Sequence, residues 1–591
     1  MTDAHPIGRV AFALALLSCA SCASTPPARA PAPQDSTAAR SGGQRIALSP
    51  CTVPDLPRPA KCGVARVFED RALGRGRVIP LRVVVVPAAE PPALPDPVVY
   101  IMGGPGGAAT TVVPSTMEAF SKSAAKRDFV FVDQRGMATD SPLRCKLADG
   151  DDLGTLPGGA LPEARLRACL ASMDADPSLY TTAVAVDDLD EVLTALGYGA
   201  VDVLGESYGS FAAQAFAKAH LGRVRSLVLS GVSSPIGVSP QIRFAASAQA
   251  VLDQTFAACA AVAACHAAHP DPASELARAM ARLRDRPERI AVDADGKRYQ
   301  AIVDANGLAM GIRLMLYSAE ERAHVIDAIH AAAQGDLEPI ELAVVYAGIT
   351  LTQDLSVGAY LSITCAESLA GVTDEEVRRA TASTFLGMSR IGPIRDACKY
   401  WPKRPAPPWL HELLRADVPA LLVDGTMDAA TPVGDLGPIA AALPHSQQVI
   451  FPGGGHSLEN PCVDAIVASF LDAPLAKVDA SCVEPVAPAH SRSSRSCVPT
   501  AMSTPSVSMT PGPYSTAEPC VVVGQNASAD ARAQSKETPY PPPRRPMGPT
   551  VLTVLALLGW LVKPSFAKPL VAPTRAKTWP YSPRLPSSTE G

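Results

Sequence analysis

The pentapeptide Gly205-Glu206-Ser207-Tyr208-Gly209 constrains this chain more than any other feature. It follows the short apolar run 201–204 and opens a helical pattern over 210–219. In that strand–turn–helix context G-x-S-x-G forms a nucleophile elbow. The turn admits only small residues on either side of the serine, hence Gly205 and Gly209. Ser207 is then held above a sheet edge at a helix N-terminus, where the dipole favours a developing anion. The five residues alone also suit an inert glycine-rich turn, so the rest of the chain has to decide.

The segments around the pentapeptide alternate in period. The β-branched run 78–86 and the apolar runs 97–102 and 129–132 suit the interior of a mostly parallel sheet. Between 181 and 196 the period becomes helical, with Leu189, Val192, Leu193 and Leu196 at i, i+3, i+4 and i+7. Acidic residues surround them, and Gly197-Tyr198-Gly199 stops the helix. A strand pattern returns over 224–229. After Pro235 the strand rhythm fades into Ala-rich helical stretches, then resumes with a strand at 420–423, a helix at 438–443 and a strand at 448–451. This predicts an α/β fold whose core (49–235 and 406–483) is interrupted by a mainly helical cap at 236–405.

A serine hydroxyl needs a base and an orienting acid. His456 follows Gly453-Gly454-Gly455 just after the last strand, and Asp428 follows the strand at 420–423. Both fall at strand C-terminal ends, where active sites gather in parallel sheets. Asp424 competes for the acid role, but it sits at the strand end itself. Asp428 lies further into the loop and can reach back to an imidazole. For the oxyanion site, backbone N–H groups are expected from Tyr208 and from Gly104 in the loop Gly103-Gly104-Pro105-Gly106-Gly107.

In this order, Gly103-Gly104-Pro105-Gly106, Asp133-Gln134-Arg135-Gly136, Gly205-Glu206-Ser207-Tyr208-Gly209 and Asp428…Thr431-Pro432…His456 resemble the α/β-hydrolases of the prolyl aminopeptidase family, peptidase family S33. The chain is most similar to the tripeptidyl-aminopeptidase-like branch. Thr181-Thr182 leading to Asp188-Leu189-Asp190 is similar too, and the likeness spans roughly 50–480. The resemblance implies an α/β-hydrolase sheet with an inserted helical cap, and cleavage near peptide N-termini through an acyl-enzyme. It also implies a cap carboxylate for the substrate ammonium, at Glu367. Two positions depart from the family pattern. Met102 stands where a histidine is usual before the glycine loop, and Ala138 replaces the second glycine after Asp-Gln-Arg-Gly. An esterase or lactonase using the same residues, and a binding protein that has lost turnover, are the alternatives.

Composition narrows the setting. A formal net charge of −5 on 591 residues supplies no field for nucleic acid, and neither a P-loop nor zinc-finger spacing occurs. No cofactor, metal or nucleic acid is expected, and the expected partner is a peptide substrate. Arg9, the apolar run 10–17 and the small residues that follow read as a signal peptide over 1–22. Cys19 or Cys22 would carry a lipid as in bacterial lipoproteins, the sole membrane contact expected, and 23–48 would be a Pro/Ala-rich linker. An exported protein of the periplasm or outer membrane, or a secreted one, is the expectation. The Pro-rich 484–591 reads as a disordered tail. Without Cys19, Cys22, Cys497 and Cys520, ten cysteines remain, which suits an oxidising compartment. Ten cysteines allow about 945 pairings. The expectation is pairing of sequence neighbours, Cys51–Cys62, Cys145–Cys169, Cys259–Cys265, Cys365–Cys398 and Cys462–Cys482.

Overall fold

The computed structural model describes residues 46–485 except Val238 and Glu459. The signal peptide, its cysteines, nearly all of the linker and the tail lie outside the described residues. Eleven strands occur among those described: β1 (Ser49–Cys51), β2 (Ala60–Phe68), β3 (Val78–Val86), β4 (Val98–Ile101), β5 (Phe129–Val132), β6 (Val201–Glu206), β7 (Val224–Ser230), β8 (Glu288–Ala294), β9 (Lys297–Val303), β10 (Ala420–Gly425) and β11 (Ser446–Phe451). Nine form one sheet in the order β1-β2-β3-β5-β4-β6-β7-β10-β11. The steps from β1 to β5 are antiparallel, and every step from β5 to β11 is parallel.

The parallel strands are apolar on both faces because helices cover both. Val99, Val203, Leu227 and Leu422 pack with Val186, Leu189 and Val192 of the helix Thr182–Leu196 and with Phe216 of the helix Tyr208–Ala219. Their strand neighbours Tyr100, Leu204, Val228 and Leu421 pack on the opposite face with Ile466 and Phe470 of the helix Pro461–Asp472. This period-two division is what a sheet buried on both sides requires. Gly197, at φ 85°, closes the helix Thr182–Leu196 in the left-handed conformation.

Between β7 and β10 lies the cap, with its own core around Leu252, Leu308, Ile329 and Val344. It is mainly helical, but it also contains the hairpin β8–β9, turned at Asp295-Gly296. The helical reading of the insertion overlooked this hairpin. Its strands expose one face, as in Arg289, Ala291 and Gln300, and the polar residues on that face break up any unbroken apolar run that would mark them. The half-exposed strand β2 escaped for the same reason. All five neighbouring cysteine pairs are disulfides. Among the described residues no helix is long and apolar enough to cross a membrane.

Candidate active site

β4, β6, β10 and β11 run parallel, so their following loops emerge at one sheet edge. There the chain places the glycine loop, Ser207, Asp428 and His456. Ser207 has φ 56° and ψ −123°, an unusual conformation for a residue with a side chain. A Cβ on Gly205 would lie 2.3 Å from the carbonyl oxygen of Gly209, and one on Gly209 would lie 2.0 Å from that of Ile101. Neither position admits a side chain. The Ser207 amide donates to the Ser230 carbonyl at 2.9 Å, which ties the elbow to β7.

His456 Nδ1 lies 2.7 Å from Asp428 Oδ2. Asp428 Oδ1 accepts from the amides of Ala430 at 2.6 Å and Thr431 at 2.7 Å. The Thr431 hydroxyl donates to Asp428 Oδ2 at 2.8 Å and lies 3.1 Å from His456 Nδ1. Burial pushes the Asp428 carboxyl up, but the imidazole and these donors outweigh it and hold the group below its usual range. Asp424 is the other case. It is buried within β10, and burial together with the charge of Asp428 pushes it well above the carboxylate range. The carboxylate on the imidazole is therefore that of Asp428. Ser207 and His456 line one cavity of about 210 Å³, in which Tyr317 packs edge-on against the imidazole at 5.1 Å between centroids.

Gly104 and Tyr208 border a second cavity, of about 720 Å³, that also reaches Ser207. Gly104 has φ 120°, so the loop bends in a way that other residues resist. Tyr208 begins its helix, where backbone N–H groups lack intrahelical acceptors. Two family-like motifs brace this edge. Asp133 accepts from both the amide and the hydroxyl of Thr110 at 2.8 Å, and burial pushes its carboxyl up to about 6. Arg135 donates to Asp188 at 2.6 and 2.9 Å, and to the carbonyls of Glu69 and Leu179.

Glu367 lines the larger cavity with Ser207 and is buried. Its Oε1 accepts from the Thr182 amide and its Oε2 from the Thr182 hydroxyl, each at 2.6 Å. That hydroxyl also lies 2.7 Å from the Tyr208 hydroxyl. Burial pushes the Glu367 carboxyl up to about 7, against the pull of the Thr182 bonds. Thr182 and Thr431 were visible in the sequence only as parts of family-like strings, with no sign that they contact Glu367, Asp428 or His456. Among the described residues one group could offer a metal three ligand atoms, namely His269, Glu275 and His330 of the cap. It lines neither cavity, and His330 Nδ1 and Glu275 Oε1 already meet at 2.9 Å.

Residues 96–291 match the family model described as alpha/beta hydrolase fold, and residues 384–482 the model described as TAP-like protein. The chain has the α/β-hydrolase fold, its C-terminal part resembles the TAP-like proteins, and it is a hydrolase. It is 25% identical over 471 residues to the serine protease Hip1 of Mycobacterium tuberculosis, covering 73% of this chain and 89% of that protein. It is 26% identical over 197 residues to the tripeptidyl aminopeptidase of Streptomyces coelicolor, covering 31% of this chain and 36% of the relative. Among solved structures, the proline iminopeptidase of Mycobacterium smegmatis aligns with TM-score 0.31 and 16% identity, over 70% of this chain and 98% of that one.

Proposed function

We propose that this protein is an exported serine aminopeptidase that removes residues or short peptides from peptide N-termini. The observation that carries this reading is the contact of His456 with Asp428 beside the strained Ser207, at one sheet edge beneath a cap. Ser207 Oγ attacks the scissile carbonyl, and His456 takes its proton and later passes it to the leaving amine. Asp428 fixes the imidazole's tautomer and offsets its charge in the transition state. The amides of Tyr208 and Gly104 receive the oxyanion, and water then resolves the acyl-enzyme. Peptidase chemistry is supported by the two named relatives.

The cap carboxylate Glu367 receives the substrate ammonium. Thr182 uses one acceptor site on each Glu367 oxygen, which leaves a further lone pair on each. Five disulfides support an oxidising destination, consistent with export through the N-terminal segment. The deciding experiment compares aminoacyl, dipeptidyl and tripeptidyl chromogenic substrates, with free and blocked N-termini, against small esters. Preference for free N-termini is the expected result. Turnover of esters alone would replace the reading with an esterase, and failure to react with a fluorophosphonate probe would sink serine catalysis altogether.

A further inference from the structure

Ser207 borders two cavities of opposite character. The larger carries Glu367; the smaller carries two guanidiniums, those of Arg313 and Arg390, together with Ser207 and His456. Arg313 comes from the helix Ala305–Met315, and Arg390 immediately precedes the helix Ile391–Cys398. Both stack on one ring, with Arg313 Cζ 5.2 Å and Arg390 Cζ 4.3 Å from the centroid of Phe244. Arg313 also lies 4.7 Å from the ring of Tyr317 and donates to its hydroxyl. Arg390 donates to Gln241 Oε1 at 2.7 Å and to the Tyr360 hydroxyl at 3.3 Å.

Every one of these partners is neutral, and among the described residues neither arginine forms an ion pair with a carboxylate. Arg313 is only 7% exposed, and its Nε has no hydrogen-bond partner. The carboxylate that shares the cavity, Glu206, accepts from the Tyr100 hydroxyl at 2.5 Å and forms no ion pair with either arginine. A buried guanidinium without a counter-ion is costly, and a second cation beside it raises the cost. Stacking on Phe244 and Tyr317 offsets part of this. What remains unmet is negative charge with acceptor oxygens, which a planar guanidinium pair binds best as a carboxylate.

We propose that Arg313 and Arg390, stacked on Phe244, form a carboxylate-binding subsite, so that the enzyme prefers substrates with an anionic group close to the bond cleaved at Ser207. The inference deepens the peptidase reading and relies on it for the cleavage step alone. The carboxylate has two sources, the C-terminus of a short peptide or an acidic side chain flanking the scissile bond.

The test measures kcat/KM on short peptides as free acids and as C-terminal amides. A second series places Glu or Gln on either side of the cleaved bond. Wild type should favour the charged member of one series by about tenfold or more, and the series that shows the preference identifies the source. Arg313→Gln and Arg390→Gln should each drive that ratio toward one, and Arg313→Lys should retain part of it. A merely structural role would lower charged and neutral substrates together and leave the ratio unchanged, which overturns the subsite. Equal rates on both members of both series would overturn it too. If Arg313→Gln does not fold, the half-buried Arg390→Gln decides. Calorimetric titration of the full-length Ser207→Ala protein with the same peptides separates the two readings. Preferential binding of the charged peptides by a protein whose wild type cleaves none would sink the peptidase reading and leave the subsite standing.

Discussion

Thr182 holds Glu367 with two hydrogen bonds of 2.6 Å, one from its backbone amide and one from its hydroxyl. The pair joins the cap to the first residue of a core helix, 185 positions apart in the chain. Through the 2.7 Å contact of the two hydroxyls it also reaches Tyr208, whose amide is assigned to the oxyanion.

The first prediction follows from that carboxyl's elevated value of about 7. Below it Glu367 is neutral and cannot offset an ammonium. KM for free N-termini should therefore fall as pH rises through about 7, while KM for neutral esters should not. Because the folded value lies above the ordinary 4.5, the empty site's contribution to stability is full below about 4.5, falls as pH rises to about 7 and levels off above it. Thr182→Val removes a donor to the charged form and should move the transition upward. Glu367→Gln should abolish it and lower kcat/KM on free N-termini by roughly two orders of magnitude, with little change on esters. Equal losses on both substrates would make Glu367 structural.

Ser207→Ala and His456→Ala should each remove most turnover while leaving the thermal transition close to that of wild type. The double variant should be little worse than either, because the residues act as a unit. Near-normal hydrolysis by Ser207→Ala would refute the mechanism.

Asp428 and Asp424 should respond in opposite ways to the same change. Asp428→Asn leaves the wrong group on the imidazole and should lower kcat by roughly 10⁴-fold. Asp424 is already pushed toward its protonated form, so an amide mimics it and Asp424→Asn should retain most activity. Steady-state kinetics on the pair checks the assignment directly.

Arg135→Ala should act on stability rather than on chemistry. It strips Asp188, whose side chain is 2% exposed, of its buried partner. Breaking such a pair costs about 3–5 kcal/mol, which denaturant titration can read. Arg71, at 2.9 Å from Asp188, would soften the loss toward the lower end. A change below about 1 kcal/mol would mean that water or rearrangement replaces the guanidinium.

What the sequence determined by itself is local. Gly205 and Gly209 are legible because a tight elbow excludes any Cβ there, and the parallel strands because burial on both faces demands unbroken apolar runs. The disulfides join near neighbours in the chain, and all ten cysteines pair as expected. β2 and the β8–β9 hairpin were not legible, since half-exposed strands mix polar residues into the pattern. Tertiary structure alone decided which groups meet. Asp424 and Asp428 differ by four positions, yet only the second escapes the strand to reach His456. Thr182 meets Glu367, and Arg313 meets Arg390 across Phe244, because the cap folds back over the sheet edge. Short-range sterics and burial write themselves into neighbouring residues. Proximity across many tens of residues is set by sheet register and cap packing, and leaves no periodic trace in the chain.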